Sequence, residues 1–145
     1  MSGYLLDTHS FLWSIWQPEK LGQQSVAVLE NTDNKVFVSS ITFWEISLKY
    51  ALGKLTLGCK PNELLKFADD MGFAKISLTP EEAALFYQLP KLAHKDPFDR
   101  MLIWQAVAND LILISKDGQF DNYSQYGLKV IWWSLSMKTS ACRRN

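Results

Sequence analysis

The chain has 145 residues, and its 15 basic and 15 acidic side chains give a formal net charge of zero. Hydrophobic residues make up 48% and charged residues 21%, which is typical of one folded domain and excludes a disordered or fibrous chain. A neutral balance excludes a strongly basic nucleic-acid-binding domain, so any such contact must come from local charge.

Cysteine content and hydropathy indicate the compartment. Cys59 and Cys142 have neither a metal-knuckle spacing nor a disulfide framework, which fits a reducing environment. No apolar run approaches the roughly 20 residues that span a bilayer, and the N-terminal residues lack the basic-then-apolar order of a signal peptide. We therefore expect a cytoplasmic protein with no membrane partner.

The first part of the chain alternates strand and helix. The run "YLL" ends at Asp7, and "SFLWSIW" follows at helical spacing until Pro18 stops it. The β-branched run "KVFVSS" predicts a second strand, and "ITFWEISLKYALG" predicts a helix with Gly53 just past its end.

The alternation continues to the last apolar run. Pro61 opens the helix "PNELLKFADDMG", "FAKISL" is a short strand, and Thr79 and Pro80 start "EEAALFYQL". From Pro97, "FDRMLIWQAVAND" is apolar almost all round, as in a helix packed on both sides, and "LILIS" is a buried strand. Residues 117–127 predict a surface loop with one helical turn, and "KVIWW" is the last strand. This order predicts an α/β domain with a mainly parallel sheet, in which ligands lie beyond the carboxyl ends of the strands.

Four acids occupy strand ends or helix starts: Asp7, Glu45, Asp99 and Asp117. In a parallel sheet these positions converge on one edge, so carboxylates far apart in sequence would share one site. Crowded carboxylates repel one another, and such a cluster persists when a cation offsets the repulsion. Mg²⁺ or Mn²⁺ prefers oxygen ligands and supports hydrolysis of phosphodiester bonds.

Each acid also has a structural interpretation. Glu45 stands three residues after Thr42 in a capping-box pattern, and Asp96 with Asp99 gives an N-cap and N3 arrangement around Pro97. Asp117 could form a turn with Gly118. For Asp7 the structural interpretation is weakest, because an acid at a buried strand end has no helix dipole of its own.

The remaining candidates are interpreted as structural residues. His9 and His94 fit hydrogen-bonded or loop positions, although His94 could reach a substrate. The tryptophans on apolar helical faces favour core packing over base stacking; they are Trp13, Trp16, Trp44 and Trp104.

The segments "LLDTHSFLW", "SSITFWEISLKYALGKL", "HKDPFDRMLIWQA", "ISKDGQF" and "VIW", in that order, resemble a PIN-domain protein. More narrowly, they resemble the VapC-type toxins of bacterial toxin-antitoxin pairs. The resemblance covers about residues 3–133, which would form the nuclease domain, and leaves 134–145 as a flexible tail. It implies a doubly wound α/β fold, Mg²⁺- or Mn²⁺-dependent ribonuclease activity on RNA, homodimers, and an antitoxin that blocks the site.

The resemblance also implies a role for each acid. Asp7, Asp99 and Asp117 would hold the ion or its waters, Glu45 would orient or deprotonate the attacking water, and Ser115 precedes the fourth acid. Asp96 would cap its helix. Nearby basic residues could contact phosphate; they are Lys49, Lys54, Lys95, Arg100 and Lys116.

The chain departs from the family pattern in two places, and two rival functions stay open. Trp104 stands where the family often has a small residue, and the tail after Trp133 lies outside the pattern. One rival is a PIN-like module that binds RNA or protein without cutting. The other is a phosphatase with an aspartyl nucleophile in "LLDTH", although His9 stands where a second acid is usual.

Overall fold

The computed structural model describes residues 3–92, 95–116 and 123–131. Within them, five parallel strands form one sheet in the order β3-β2-β1-β4-β5. The strands are β1 (Gly3–Leu6), β2 (Lys35–Ser39), β3 (Ala74–Ile76), β4 (Leu111–Ile114) and β5 (Lys129–Ile131). The predicted parallel sheet is confirmed.

Helices flank the sheet on both sides. They are α1 (Thr8–Trp16), α2 (Gln23–Glu30), α3 (Ser40–Ala51), α4 (Leu64–Asp70), α5 (Pro80–Leu85) and α6 (Pro97–Ala108). Short 3₁₀ turns cover Pro18–Lys20, Pro61–Glu63 and Phe86–Gln88. None of these helices is long and apolar enough to cross a membrane.

The strands place alternate side chains in two separate cores. Leu5 packs with Leu102 and Ile103 of α6, whereas its neighbour Leu6 packs with Phe11 of α1 and Ile46 of α3. This division follows from the two-residue period of a strand, which sends successive side chains to opposite faces. Both faces are therefore covered, as expected for a doubly wound sheet.

The strand order creates a reversal point between β1 and β4. From β1 the chain proceeds outward through β2 and β3, and it later returns to add β4 and β5 on the other side of β1. In such sheets the crevice that binds ligands opens at the carboxyl ends of the two strands where the order reverses. Asp7 directly follows β1 and Ser115 directly follows β4, so both lie at this point.

Two predicted helix ends are confirmed. Gly53 has a φ of +72° after α3, and Gly72 has a φ of +79° after α4. These left-handed conformations favour glycine, and they let Lys54 N donate to Lys49 O at 2.8 Å and Phe73 N donate to Ala68 O at 2.9 Å.

Three features differ from the expectation. Helix α2 was not predicted, because the apolar residues of "QQSVAVLE" form one short run, 26–29, without helical spacing, and only Ser25 and Val28 are buried in the helix. Helix α1 begins at Thr8, earlier than its apolar run suggested. Tyr123 was expected in a surface loop but is fully buried. Trp132, Trp133 and residues 134–145 lie outside the described residues.

Candidate active site

Asp7 is a buried carboxylate at the reversal point of the sheet. Its backbone N–H donates to Ile114 O at 3.1 Å, which ties it to the end of β4. Its Oδ1 atom accepts from Ser10 N at 2.8 Å, so Asp7 is the N-cap of α1. The expectation that Asp7 has no helix dipole of its own was therefore wrong, because α1 begins directly after it. Even so, burial raises the pKa of Asp7, although hydrogen bonds from Ser10 and Ser115 act to lower it.

Glu45 lies inside α3 and points into the protein. The helix begins at Ser40 because the Ser39 hydroxyl caps it, accepting from Ile41 N at 3.0 Å. The expected first-turn position and the capping box with Thr42 were therefore wrong. Glu45 is 3% exposed, and its Oε1 atom accepts from Thr8 Oγ1 at 2.6 Å. An acid in the middle of a helix cannot cap it, so capping does not explain why Glu45 is buried at this position.

Lys49 supplies a cation next to Glu45. Its Nζ donates to Glu45 Oε2 at 2.5 Å, one helical turn further along α3. This hydrogen bond raises the pKa of Lys49, and the charges of Glu45, Asp96 and Asp99 raise it further. The ammonium group therefore stays protonated and lies within electrostatic reach of three acids.

Asp96 and Asp99 divide two roles in the first turn of α6. The Oδ1 atom of Asp96 accepts from Phe98 N at 2.9 Å and from Asp99 N at 3.0 Å, with Pro97 in the first helical position. The predicted N-cap is confirmed. Because Asp96 satisfies these backbone donors, the half-buried carboxylate of Asp99 is not needed as the cap.

The three candidate site acids with described positions, Asp7, Glu45 and Asp99, lie at the same edge of the sheet. Thr8, the residue after Asp7, donates a hydrogen bond to Glu45. Lys49 also donates to Glu45, and it lies close enough to Asp99 for the charge of Asp99 to raise the pKa of Lys49. Helix α6 runs back toward the start of β4, so its first turn lies at the carboxyl edge. Asp117 and His94 lie outside the described residues, and their predicted roles stay predictions. Among the residues with described positions, no three His, Cys, Asp or Glu side chains are grouped closely enough to hold a metal ion by themselves.

The oxygen atoms available as ligands nevertheless suit a hard divalent cation. Carboxylate and hydroxyl oxygens are its preferred ligands, and Mg²⁺ commonly takes only one or two carboxylates and keeps several waters. Asp7 is a buried carboxylate whose charge is disfavoured by desolvation, and a bound cation would offset that cost. Glu45 already has Lys49 as a counter-ion, which favours Asp7 and Asp99 over Glu45 as metal ligands.

Sequence reasoning missed the roles of Thr8 and Lys49 as partners of Glu45. Lys49 had been considered only as a phosphate contact. Its spacing of four residues after Glu45 is a signal for a helical ion pair, and it could have been used. No comparable local signal indicated Thr8, because its contact with Glu45 joins residues that are 37 positions apart.

Comparisons with known proteins agree with this fold. The family model described as "PIN domain" matches residues 4–125, so the chain belongs to the PIN domain family. Ribonuclease VapC22 of Mycobacterium tuberculosis is 23% identical over 133 residues, which are 91% of this chain and 100% of that protein. The predicted family is confirmed.

Solved structures with the same fold include two VapBC complexes. The crystal structure of VapBC2 from Rickettsia felis bound to a promoter DNA fragment has a TM-score of 0.66 at 17% identity, covering 89% of this chain and 98% of that one. DNA-bound VapBC from Salmonella typhimurium has a TM-score of 0.64 at 18% identity, covering 90% and 98%. At these identities the likeness shows the fold.

Proposed function

We propose that this protein is a metal-dependent endoribonuclease and the toxin of a VapBC-type toxin-antitoxin pair. The observation that carries the proposal is the burial of Asp7 at the reversal point of the sheet together with that of Glu45, whose carboxylate accepts from Thr8, the residue after Asp7. Buried carboxylates are costly to a fold, and they persist where a function needs them. The similarity to a protein named Ribonuclease VapC22 supports RNA as the substrate.

The side chains divide the chemistry between them. Asp7, Asp99 and Asp117 would hold Mg²⁺ or Mn²⁺, which when bound supplies charge neutralisation at the phosphate and acidifies water. Ser10 and Ser115 fix the orientation of the Asp7 carboxylate through hydrogen bonds.

Glu45 is the base in this proposal. Thr8 and Lys49 hold its carboxylate through hydrogen bonds to its two oxygen atoms. Glu45 orients a water molecule and accepts its proton while the water oxygen bonds to phosphorus. The phosphorus–oxygen bond to the leaving nucleotide then breaks and its electron pair stays on the leaving oxygen, which takes a proton from solvent water. The RNA strand is thereby cleaved.

The partners and domain limits belong to the same proposal. The structural neighbours are described as VapBC complexes, which supports an antitoxin partner for this chain. A homodimer follows from the family resemblance. We also propose residues 1–133 as the nuclease domain and 134–145 as a tail outside it.

The test compares single-turnover cleavage of a mixed-sequence RNA by the purified wild-type protein and by variants. Asp7→Asn and Asp99→Asn should abolish cleavage, and Glu45→Gln should slow it by about 100-fold because the base is lost. Lys129→Ala is the matched surface control, since Lys129 is exposed and pairs with Asp110 at the opposite edge of the sheet. It should cleave at the wild-type rate.

Two results would contradict the proposal. One is cleavage by the wild-type protein in excess EDTA, and the other is full activity of folded Asp7→Asn protein. RNA binding by the wild-type protein without any cleavage in Mg²⁺ or Mn²⁺ would indicate the non-catalytic PIN-like module instead.

A further inference from the structure

Lys49 lies between an acid of α3 and the start of α6. Its Nζ atom donates to Glu45 Oε2 at 2.5 Å and lies 6.0 Å from the ring centroid of Phe98 in α6. The charges of Asp96 and Asp99, also at the start of α6, act on Lys49 and raise its pKa. The ammonium group is therefore placed by contacts with two different helices and not by one helical neighbour alone.

Both oxygen atoms of the Glu45 carboxylate already accept hydrogen bonds. Thr8 Oγ1 donates to Oε1 at 2.6 Å, and Lys49 Nζ donates to Oε2. The carboxylate is also buried, so it is approached from few directions. A divalent ion can bind Oε2 only after the ammonium group has left, because two cations at one carboxylate oxygen repel each other.

The contact with Lys49 bears on how many metal ions the site can hold. In sites with two metal ions, the ions lie about 3.5–4 Å apart, and their mutual repulsion has to be offset by several carboxylates. Asp7 and Glu45 are the two buried acids in the described part of the chain. In the proposed function Asp7 helps to hold the first ion, so Glu45 is the buried carboxylate that remains for a second one.

We propose that the ammonium group of Lys49 takes the place of a second divalent ion beside Glu45, so that the site holds a single Mg²⁺ or Mn²⁺. The inference rests on the proposed ribonuclease function and adds the number of ions to it. The positive charge of Lys49 offsets the repulsion between Glu45 and the acids at the start of α6, which a second ion would otherwise do. Lys49 is thus a positioning residue that acts through Glu45.

The simpler explanation of the contact is an ordinary ion pair between helical neighbours. Acids and lysines four residues apart stabilise many helices, and Asp70 with Lys66 on α4 is such a pair at 2.9 Å. The side chains of that pair are 59% and 80% exposed, whereas the side chain of Glu45 is 4% exposed. Lys49 also faces acids of a second helix. Lys66 therefore provides a matched control from the same chain.

The experiment counts the Mn²⁺ ions that bind saturably to each purified protein, with no RNA present. Mn²⁺ is titrated into the protein, and EPR spectroscopy measures the ion that stays free in solution. The wild-type protein should bind one ion. Lys49→Met should bind two, because an oxygen atom of Glu45 becomes available as a ligand. Lys49→Arg keeps the positive charge and should bind one, and Lys66→Met should also bind one.

A double variant tests whether the added ion depends on Glu45. Glu45→Gln combined with Lys49→Met removes the carboxylate together with the ammonium group, so this protein should return to one ion. Circular dichroism spectra check that each variant is folded. Lys49→Gln is the second variant should Lys49→Met fail to fold, and it should bind two ions for the same reason.

Three results would overturn the inference: two saturable ions in the wild-type protein, a single ion in the folded Lys49 variants without charge, or a second ion that persists in the double variant. Each of them leaves the ribonuclease proposal in place, because that proposal needs a bound ion and cleaved RNA but no particular number of ions. A wild-type protein that binds no Mn²⁺ contradicts the proposed metal site itself and the inference with it. A gain from one ion to two on loss of the Lys49 charge supports the inference whether or not the protein cleaves RNA.

Discussion

At the scale of single residues, Asp7 combines a structural role with the chemical role that we propose for it. Its carboxylate caps α1 and is held by Ser10 and Ser115, yet burial still raises its pKa. Hydrogen bonds alone therefore do not compensate for the desolvation of the charge. A residue selected only for capping would avoid this cost, because asparagine or serine caps a helix equally well.

The raised pKa of Asp7 gives a pH-dependent prediction. The folded protein binds this proton more tightly than the unfolded chain, whose carboxyl has an ordinary pKa of 3.8. The stabilising contribution is present below that value and is lost as the pH rises through the folded-state pKa. In EDTA at neutral pH, Asp7→Asn should therefore melt at a higher temperature than the wild-type protein, and the difference should shrink toward pH 3.8.

The measurement is a series of thermal melts of both proteins between neutral and acid pH. Added Mg²⁺ should raise the melting temperature of the wild-type protein and not that of Asp7→Asn. A variant that melts below the wild-type protein at neutral pH in EDTA would show that the Asp7 charge stabilises the fold, contrary to this account.

The pair of Glu45 and Lys49 gives a second prediction at this scale. The side chain of Glu45 is 4% exposed and that of Lys49 is 37% exposed, so Lys49→Met leaves a buried charge with the Thr8 hydroxyl as its hydrogen-bond donor. We expect a loss of about 1–2 kcal/mol in the free energy of unfolding, moderated by water that reaches the Lys49 side.

A double-mutant cycle separates the charge effect from the loss of packing. Glu45→Gln combined with Lys49→Met should recover part of the stability lost in Lys49→Met alone, because glutamine needs no cation. Urea titrations of the four proteins measure this coupling. Strictly additive effects would mean that the ion pair contributes nothing to stability.

At the scale of secondary-structure elements, helices α3 and α6 carry the second and third acids and are joined by a buried polar contact. Ser39 Oγ donates to Gln105 Oε1 at 2.6 Å, and Gln105 Nε2 donates to Ser77 O at 3.3 Å. Ser39 also caps α3. One serine at the end of β2 therefore sets where α3 begins and how it meets α6, and so where Glu45 and Asp99 lie.

The first turn of α6 gives a prediction that separates capping from chemistry. Asp96→Asn keeps an oxygen that accepts from the helix N–H groups, so stability and RNA cleavage should both stay close to wild type. Asp99→Asn should leave stability unchanged and abolish cleavage. Asp96→Ala should lose about 1 kcal/mol of stability by removing the cap. Thermal melts and cleavage rates for the three variants provide the check, and loss of cleavage in folded Asp96→Asn would contradict the division of roles.

Much of the element pattern was predictable from local signals. Proline and the acids around it predicted the start of α6, and Gly53 and Gly72 predicted where α3 and α4 end. Helix starts were harder, because Ser39 and Thr42 both precede apolar runs and only the folded contacts show that Ser39 is the cap. Helix α2, whose apolar residues form one short run, gave no comparable signal.

At the scale of the whole molecule, the site depends on strand order. Asp7 meets Ser115 because β1 pairs directly with β4, so that Leu6 lies opposite Ile114. The alternation of strands and helices predicted parallel pairing, but it carries no information on which strands are neighbours. The convergence of the acids was therefore an expectation from the general geometry of parallel sheets. The pairing of β1 with β4 now provides the specific reason why Asp7 and Ser115 meet.

Contacts between distant segments also add what sequence reasoning could not predict. Trp13 was assigned to core packing from its helical spacing, and it does pack against the core that contains Leu6 and Phe11. Lys20 and Lys116 also lie over its ring. Lys116 is more than a hundred positions away in sequence, and only the fold brings it to α1. Contacts of this kind leave no motif in the sequence.

The central claim is that acids from separate elements hold one divalent ion at the carboxyl edge of the sheet. The most direct measurement is anomalous diffraction from crystals of the full-length protein grown with Mn²⁺. The account predicts an anomalous peak within coordination distance of the Asp7 and Asp99 carboxylates, and no peak there in crystals of Asp7→Asn protein. A manganese peak bound elsewhere, with the Asp7 carboxylate occupied only by Ser10 and Ser115, would contradict it.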